Sequence, residues 1–165
     1  MGVQPLIKFP AARRVLAAAP ADGAVPIVEG IVEHGDARGR QLGFPTANLP
    51  LHDMQVRDGV WAAVAEVAPG QSLIAAVSIG RRRTFYAGGG ERLLEAHLLD
   101  FDRDIYGQPL RVALHAKLRT QRSFASVEDL TAQLRRDVRA TRAWAAEHYP
   151  SFPAPTTPGS RGILP

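Results

Sequence analysis

Ten residues, Leu110 to Arg119, alternate with a period of two: Leu110, Val112, Leu114 and Leu118 point one way, Arg111, His115, Lys117 and Arg119 the other. Such a segment is a strand with one apolar and one polar face, the signature of an antiparallel sheet packed on one side. Shorter apolar segments precede it at close spacing: Val25 to Glu33, Val60 to Ala68 with Trp61, Val64 and Val67, and Leu93 to Phe101. Leu73 to Ile79 is a nearly continuous apolar run closed by Gly80, which reads as a buried strand. Asp58-Gly59 and Tyr106-Gly107-Gln108-Pro109 are turn signals between these segments. Only then does a helical pattern begin. Ser126 is placed as its N-cap, Glu128 and Asp129 put acid in the first turn, and Leu130, Leu134, Val138, Thr141 and Ala145 form a stripe. Arg135, Arg136, Arg139 and Arg142 lie off that stripe on a solvated face, and Pro150 ends the element. Several strands followed by one helix argue for a mainly β chain: a small closed or nearly closed antiparallel barrel with the helix packed outside.

At 165 residues the chain is long enough for one substantial core and too short for two. Residues 1–24 read as an arm, with a short helix over Ala11 to Ala19 between Pro10 and Pro20. Residues 25–150 form the domain. The tail 151–165, with Pro153, Pro155, Pro158 and Gly159, lacks apolar periodicity and is expected to be disordered. Cysteine is absent, so neither a disulfide framework nor a thiolate metal site is possible. The net charge of +4, carried largely by arginine, suits polyanionic ligands, and nucleotide phosphates satisfy it as well as nucleic acid would. The apolar patch Val15 to Pro20 is too short for a secretory or membrane-spanning segment, and Leu6 stands where a myristoylation signal needs Ser or Thr. The expectation is a cytoplasmic monomer acting on small molecules, without a nucleic-acid or membrane partner.

The stretch Gly35 to Asn48, GDARGRQLGFPTAN, holds the densest chemistry. Gly35, Gly39 and Gly43 let the backbone approach a ligand closely, so that successive N–H groups can point at an anion. Arg38 and Arg40 add positive charge. Pro45 fixes the chain ahead of Thr46, whose hydroxyl pairs with the Asn48 carbonyl as two hard oxygen donors suited to Mg²⁺ on nucleotide phosphates. The spacing is not that of a P-loop. Taken alone, the stretch reads either as a phosphate-binding loop or as an ordinary surface connection. Glu95 is similarly two-sided: a carboxylate inside the strand Leu93 to Phe101, on one face with His97, serves either as an ion-pair partner of an arginine or as a general base.

The strings GRQLGFPTANL and LLEAHLLDFDRDIYGQPLRV, followed by Leu118-Arg119 and Phe124-Ala125-Ser126, resemble in order and spacing the signature of the riboflavin kinase (flavokinase) family, from about Gly30 to Asp137. The resemblance implies a six-stranded antiparallel Greek-key barrel with a C-terminal helix packed outside. It implies transfer of the γ-phosphoryl group of ATP to the 5′-hydroxyl of riboflavin, giving FMN, with Mg²⁺ or another divalent cation. Carried over by position, Gly35 and Arg40 contact ATP phosphates, Thr46 touches phosphate and metal, Asn48 completes the metal site and Tyr106 lies near the adenine. Glu95 takes the proton of the ribityl hydroxyl, and Arg119 and Phe124 border the isoalloxazine ring. Many bacterial relatives carry an adenylyltransferase domain ahead of the kinase domain, and residues 1–24 look like the remnant of such a linker.

The chain departs from the family pattern in places. Arg81-Arg82-Arg83-Thr84-Phe85 lacks the usual proline, Gln121 replaces an acidic residue, and Trp61 stands where tyrosine is common. These changes motivate an alternative, a non-catalytic flavin-binding or regulatory module that keeps the barrel. A zinc-hydrolase reading on Glu95, His97 and His115 has no third ligand at diagnostic spacing. His97 is expected to be a hydrogen-bonded core histidine.

Overall fold

The computed structural model describes residues 25–35, 38–51, 56–68, 71–81 and 91–152. The arm over 1–24, the tail from 153 onward and Arg82 to Gly90 lie outside the described residues, as do the readings made on them. Six strands are present: β1 (Ile27–Ile31), β2 (Ala47–Pro50), β3 (Gly59–Ala68), β4 (Gln71–Arg81), β5 (Arg92–Leu98) and β6 (Pro109–Arg119). Two helices accompany them, the single-turn α1 (Arg38–Gln41) and the long α2 (Val127–His148).

The sheet order is β1-β6-β3-β4-β5-β2, with every pairing antiparallel. Within it β3, β4 and β5 follow one another, and β6 returns to lie beside β3, which is the Greek-key order. An isolated bridge between Glu33 and Asn48 joins the chain beyond β1 to β2, so the two edges meet and the barrel is nearly closed. The expected barrel with an external helix is therefore observed. Its interior is filled from alternate positions of each strand: Val28, Leu49, Ala63, Ala65, Ala75, Val77, Ile79, Leu94, Leu110, Val112 and Leu114 form one buried cluster.

The alternation of β6 is less regular than its sequence suggests. The β3–β6 register slips between Val60 and Trp61 and again between Ala62 and Ala63, so β6 carries an extra residue at each point. Lys117 therefore pairs with Trp61, which packs on the interior cluster, whereas Arg119 pairs with Val60 on the opposite face. Two residues expected on one face are placed on two.

Helix α2 begins as expected, with the Ser126 hydroxyl accepting from the Asp129 N–H at 3.0 Å. Its stripe needs correction. Gln133, Asp137, Thr141 and Ala145 are the buried positions, while Leu130, Leu134 and Val138 are only half-buried. The physical reason is what lies beneath: α2 does not seal the sheet along its length but roofs a cavity, and its first half meets the sheet through polar groups. At its far end Val64, Ile74, Leu99, Ala145 and Tyr149 form a second apolar cluster that pins the helix down. Among the described residues no helix is long and apolar enough to cross a membrane.

Candidate active site

Residues paired across a ladder share a face, so the register defines a row across the outer face of the barrel. Asn48 pairs with Glu95, Glu95 with Ser78, Ser78 with Val60, and Val60 with Arg119. Four strands thus deliver an amide, a carboxylate, a hydroxyl and a guanidinium in one line, the last three of them on the wall of a cavity that α2 roofs. Above this row lies a cavity of about 690 Å³, walled by Thr46, Ser78, Glu95, His97, Arg119 and Phe124 and roofed by Leu130, Leu134 and Val138 of α2. Its size suits a tricyclic or larger ligand.

A second, smaller cavity of about 200 Å³ is lined by Val32, Arg40, Pro45, Thr46, Phe101 and Tyr106 among others. Thr46 borders both spaces. The Tyr106 ring stacks on His34 with centroids 3.8 Å apart, and its turn is held by the Asp104 carboxylate accepting from the Tyr106 N–H at 2.9 Å.

The Gly35 to Asn48 stretch is not the uninterrupted loop that its composition suggests. It contains α1, and its end is β2, four residues whose pairing with β5 fixes Asn48 beside Glu95. Asn48 is buried, and among the described residues its Oδ1 is a buried side-chain oxygen without a hydrogen-bond partner. Gly35 lies directly against this amide, and a Cβ there would overlap Asn48 Nδ2. Gly39 is needed for a similar reason, since a Cβ would overlap the Phe44 carbonyl, and Gly43 takes a positive φ of 83° to close the turn after α1. The stretch is tied to β5 by His97, whose Nδ1–H donates to the Pro45 carbonyl at 2.8 Å while Phe44 meets its ring edge-on at 5.5 Å. His97 is therefore hydrogen-bonded as expected, but it stands half-buried on the cavity face rather than in the core. Burial, followed by the Arg142 charge, lowers its pKa, with the Pro45 bond and Asp100 opposing. The ring is neutral near pH 7.

At the other end of the row, the Arg119 guanidinium makes a bidentate pair with Asp137 of α2, at 2.9 Å from Nε and 2.7 Å from Nη2, and Gln133 donates to the same carboxylate at 2.7 Å. Arg119 is held as a fixed wall of the cavity. Phe124, in the following loop, carries the Arg122 guanidinium 4.8 Å from its ring centroid.

The structure thus gathers Thr46, Glu95, Arg119 and Phe124 on the larger cavity and Arg40, Thr46 and Tyr106 on the smaller one; Gly35 and Asn48 line neither, lying against each other with Asn48 paired to Glu95. His115 goes elsewhere: its ring packs 5.3 Å from Trp144 and 5.7 Å from Tyr149. Among the described residues no three His, Cys, Asp or Glu side chains are grouped to hold a metal, so the zinc reading finds no support. Sequence reasoning missed Asp137, whose signal was an acid at stripe spacing between Leu134 and Thr141. It also missed Ser78, which only the register reveals.

The site is thus a polar row on the outer face of a Greek-key barrel, with two cavities that share Thr46. A family model described as riboflavin kinase (Flavokinase) matches residues 23–145. The chain belongs to the riboflavin kinase family. It is 43% identical to the bifunctional riboflavin kinase/FMN adenylyltransferase of Pseudomonas fluorescens, over 81% of this chain and 45% of that protein. Crystal structures share the fold, and two of them show how far the likeness extends. That of riboflavin kinase from Trypanosoma brucei is 27% identical, with a TM-score of 0.53, over 73% of this chain and 80% of that one. The other, described as a macrolide-efflux protein from Streptococcus pneumoniae, is 39% identical, with a TM-score of 0.65, over 73% of this chain and 40% of that one. The chain spans less than half the length of the bacterial bifunctional relatives it matches.

Proposed function

We propose that residues 25–150 form a riboflavin kinase domain, which transfers the γ-phosphoryl group of ATP to the 5′-hydroxyl of riboflavin and releases FMN and ADP. The observation that carries this reading is that Thr46, which borders both the large and the small cavity, stands two residues from Asn48, and that Asn48 pairs with Glu95 on the wall of the larger one. Phosphoryl transfer needs little covalent chemistry from a protein; it needs two substrates aligned end to end, charge neutralised and a proton accepted.

In this reading riboflavin occupies the larger cavity, its isoalloxazine against Arg119 and Phe124 and its ribityl chain directed along the row toward Glu95. The nucleotide occupies the smaller cavity, with its phosphates near Arg40 and Thr46, the backbone at Gly35 close to them, and adenine beside Tyr106. Glu95 accepts the 5′-hydroxyl proton as that oxygen bonds to the γ-phosphorus and the bond from phosphorus to the ADP oxygen breaks. A divalent cation fits the donor set. Asn48 Oδ1 is a hard oxygen, buried without a hydrogen-bond partner among the described residues, and a group in that state is costly unless a ligand uses it. Asn48 and Thr46 would hold Mg²⁺ or a similar ion, which supplies neutralisation of phosphate charge. The setting proposed is a cytoplasmic enzyme acting on small molecules.

The test is direct. Incubated with riboflavin, ATP and Mg²⁺, Mn²⁺ or Zn²⁺ in turn, the protein should give FMN on chromatographic separation of the flavins. Failure to form FMN with any of these metals would overturn the assignment. A flavin-binding module without catalysis would retain riboflavin yet release no FMN, so the same assay separates it.

A further inference from the structure

The loop from Thr120 to Ala125 leads from β6 into α2 and supplies Gln121, Arg122, Ser123 and Phe124 to the wall of the larger cavity. Its ends are anchored by what they join. Arg119 is fixed to Asp137 and donates to the Thr120 carbonyl at 3.0 Å, and Ser126 caps α2. Between these anchors a tie runs sideways to the sheet: the Gln121 side-chain amide donates to Ser78 Oγ at 2.8 Å and to the Ile79 carbonyl at 2.9 Å, both on β4. A carbonyl only accepts, so the nitrogen of Gln121 faces β4 and both of its hydrogens are used. An acidic side chain, which the family pattern favours at this position, has no hydrogen for the Ile79 carbonyl and could at most accept from Ser78.

Gly80 belongs to the same arrangement. Ser78 and Gly80 lie two residues apart on one face of β4, and both line the cavity. A Cβ at Gly80 would stand 3.2 Å from Gln121 Nε2, closer than side chains ordinarily approach, so the amide uses the space that glycine leaves. Gln121 itself is exposed, and its tie therefore adds little by burial. What it secures is the place of the loop. A ligand that needs the loop in one position binds with an affinity reduced by the fraction of molecules in which the loop is there. A tie made in advance keeps that fraction near one, and the ligand then has less ordering to supply.

We infer that Gln121 is a positioning residue for riboflavin: its amide latches the 120–125 loop to Ser78 and Ile79 across Gly80, so that Phe124 stands as a wall of the flavin cavity before the ligand arrives. The inference rests on the kinase reading above for the identity of the ligand in that cavity. Among the described residues none of this loop lines the smaller cavity, so the effect is confined to the flavin.

The experiment measures riboflavin binding by quenching of flavin fluorescence, together with kcat and the KM for riboflavin and for ATP. It compares the wild type with Gln121→Ala, Gly80→Ala and the double variant. Gln121→Ala should weaken riboflavin binding and raise its KM about five- to tenfold, the worth of one hydrogen bond between neutral groups. Its kcat should fall by less than about twofold and its ATP KM should hold, because a bound flavin keeps the loop in place. Gly80→Ala, whose methyl crowds the amide without removing it, should raise the riboflavin KM about two- to threefold. The double variant should match Gln121→Ala alone, since both changes act on one contact. A Gln121→Ala protein that melts earlier yet binds riboflavin as the wild type does makes the tie merely structural and overturns the inference. Gly80→Ala without effect beside an impaired Gln121→Ala would assign the amide to the flavin itself and overturn the latch. Should Gly80→Ala fail to fold, Gln121→Ala, altered at an exposed residue, decides alone. A wild type that binds riboflavin but forms no FMN removes the kinase reading and leaves the binding comparison to decide the latch, whereas a wild type that binds no riboflavin removes both.

Discussion

The two faces of the barrel wall are built on opposite principles. Inside, alternate residues of all six strands are aliphatic and close-packed, and Leu49, Ile79, Leu94, Leu110 and Leu114 are almost wholly enclosed. Outside, under the first half of α2, the same strands present Glu95, Ser78 and Arg119 to a cavity, with Asn48 buried beside Glu95. The interior derives its stability from apolar area removed from water, and any atom deleted there leaves a void. The outer face contributes little by burial and is held open by polar ties at its rim: Arg119 to Asp137, Gln121 to Ser78, His97 to Pro45. Because neighbours along a strand alternate between the faces, one residue step separates a stability position from a chemistry position.

Leu94 and Glu95 put that contrast to its sharpest test. Leu94→Ala should cost about 2–5 kcal/mol and lower the thermal midpoint by on the order of 10 °C, with the surviving folded protein close to normal in kcat. Glu95→Gln should move the midpoint by no more than about 2 °C and lower kcat by roughly a hundredfold or more. Thermal denaturation and single-turnover FMN formation on the same samples check both. A Glu95→Gln protein with wild-type turnover, or a Leu94→Ala protein with wild-type stability, would break the division of labour.

The same contrast explains what the sequence could reveal. Interior strands announce themselves by period two, so the barrel and its helix were legible from runs such as Leu73 to Ile79 and from the Ser126 cap. Strand β2 was not, because four residues ending in Pro50 are too few to show a period, and only pairing with β5 makes them a strand. Nor do the two bulges of β6 have a local signal; they appear when β3 sets the register, and between them they turn Lys117 inward over Trp61 while Arg119 keeps the outer face that alternation gives it. The resemblance to a family supplied the residue types of the site. Which neighbours stand beside them, Asp137 under Arg119 and Ser78 opposite Glu95, is tertiary information that spacing along the chain does not carry.

A smaller effect is expected at the rim, where the Arg119–Asp137 pair joins the wall of the cavity to its roof. Removing one partner of such a pair leaves a partly buried charge without compensation. Asp137→Ala should therefore destabilise the protein by about 3 kcal/mol and raise the riboflavin KM more than it lowers kcat. Denaturant unfolding and steady-state kinetics give the two numbers. If stability falls while the riboflavin KM stays put, Arg119 serves the fold rather than the ligand, and the outer face is less specialised than the comparison holds.

The smallest effect separates the outer face from the interior by pH. Burial lowers the pKa of His97 at the cavity and of His115 beneath the end of α2, with the Arg142 charge adding to the first and His148 to the second. Both rings take up a proton at lower pH in the folded protein than in the unfolded chain, which protonates them near pH 6.5. Between that value and the lower folded ones the unfolded state binds more protons, so acidification favours unfolding. Their contribution to stability is complete above about pH 6.5 and is lost as the pH falls through the folded values. Asp100 does not confuse this window, because its bond to Arg142 holds its carboxyl below the usual range and its contribution disappears only at lower pH. The urea midpoint should be flat from about pH 8 to pH 7 and decline from there toward pH 5. The decline should be reduced in His97→Asn and in His115→Asn alike. Only His97→Asn should also weaken catalysis, because His97 is tied through the Pro45 carbonyl to the segment that carries Thr46 and Asn48. Equal catalytic loss in both variants would mean that the pH response belongs to the barrel as a whole and not to its outer face.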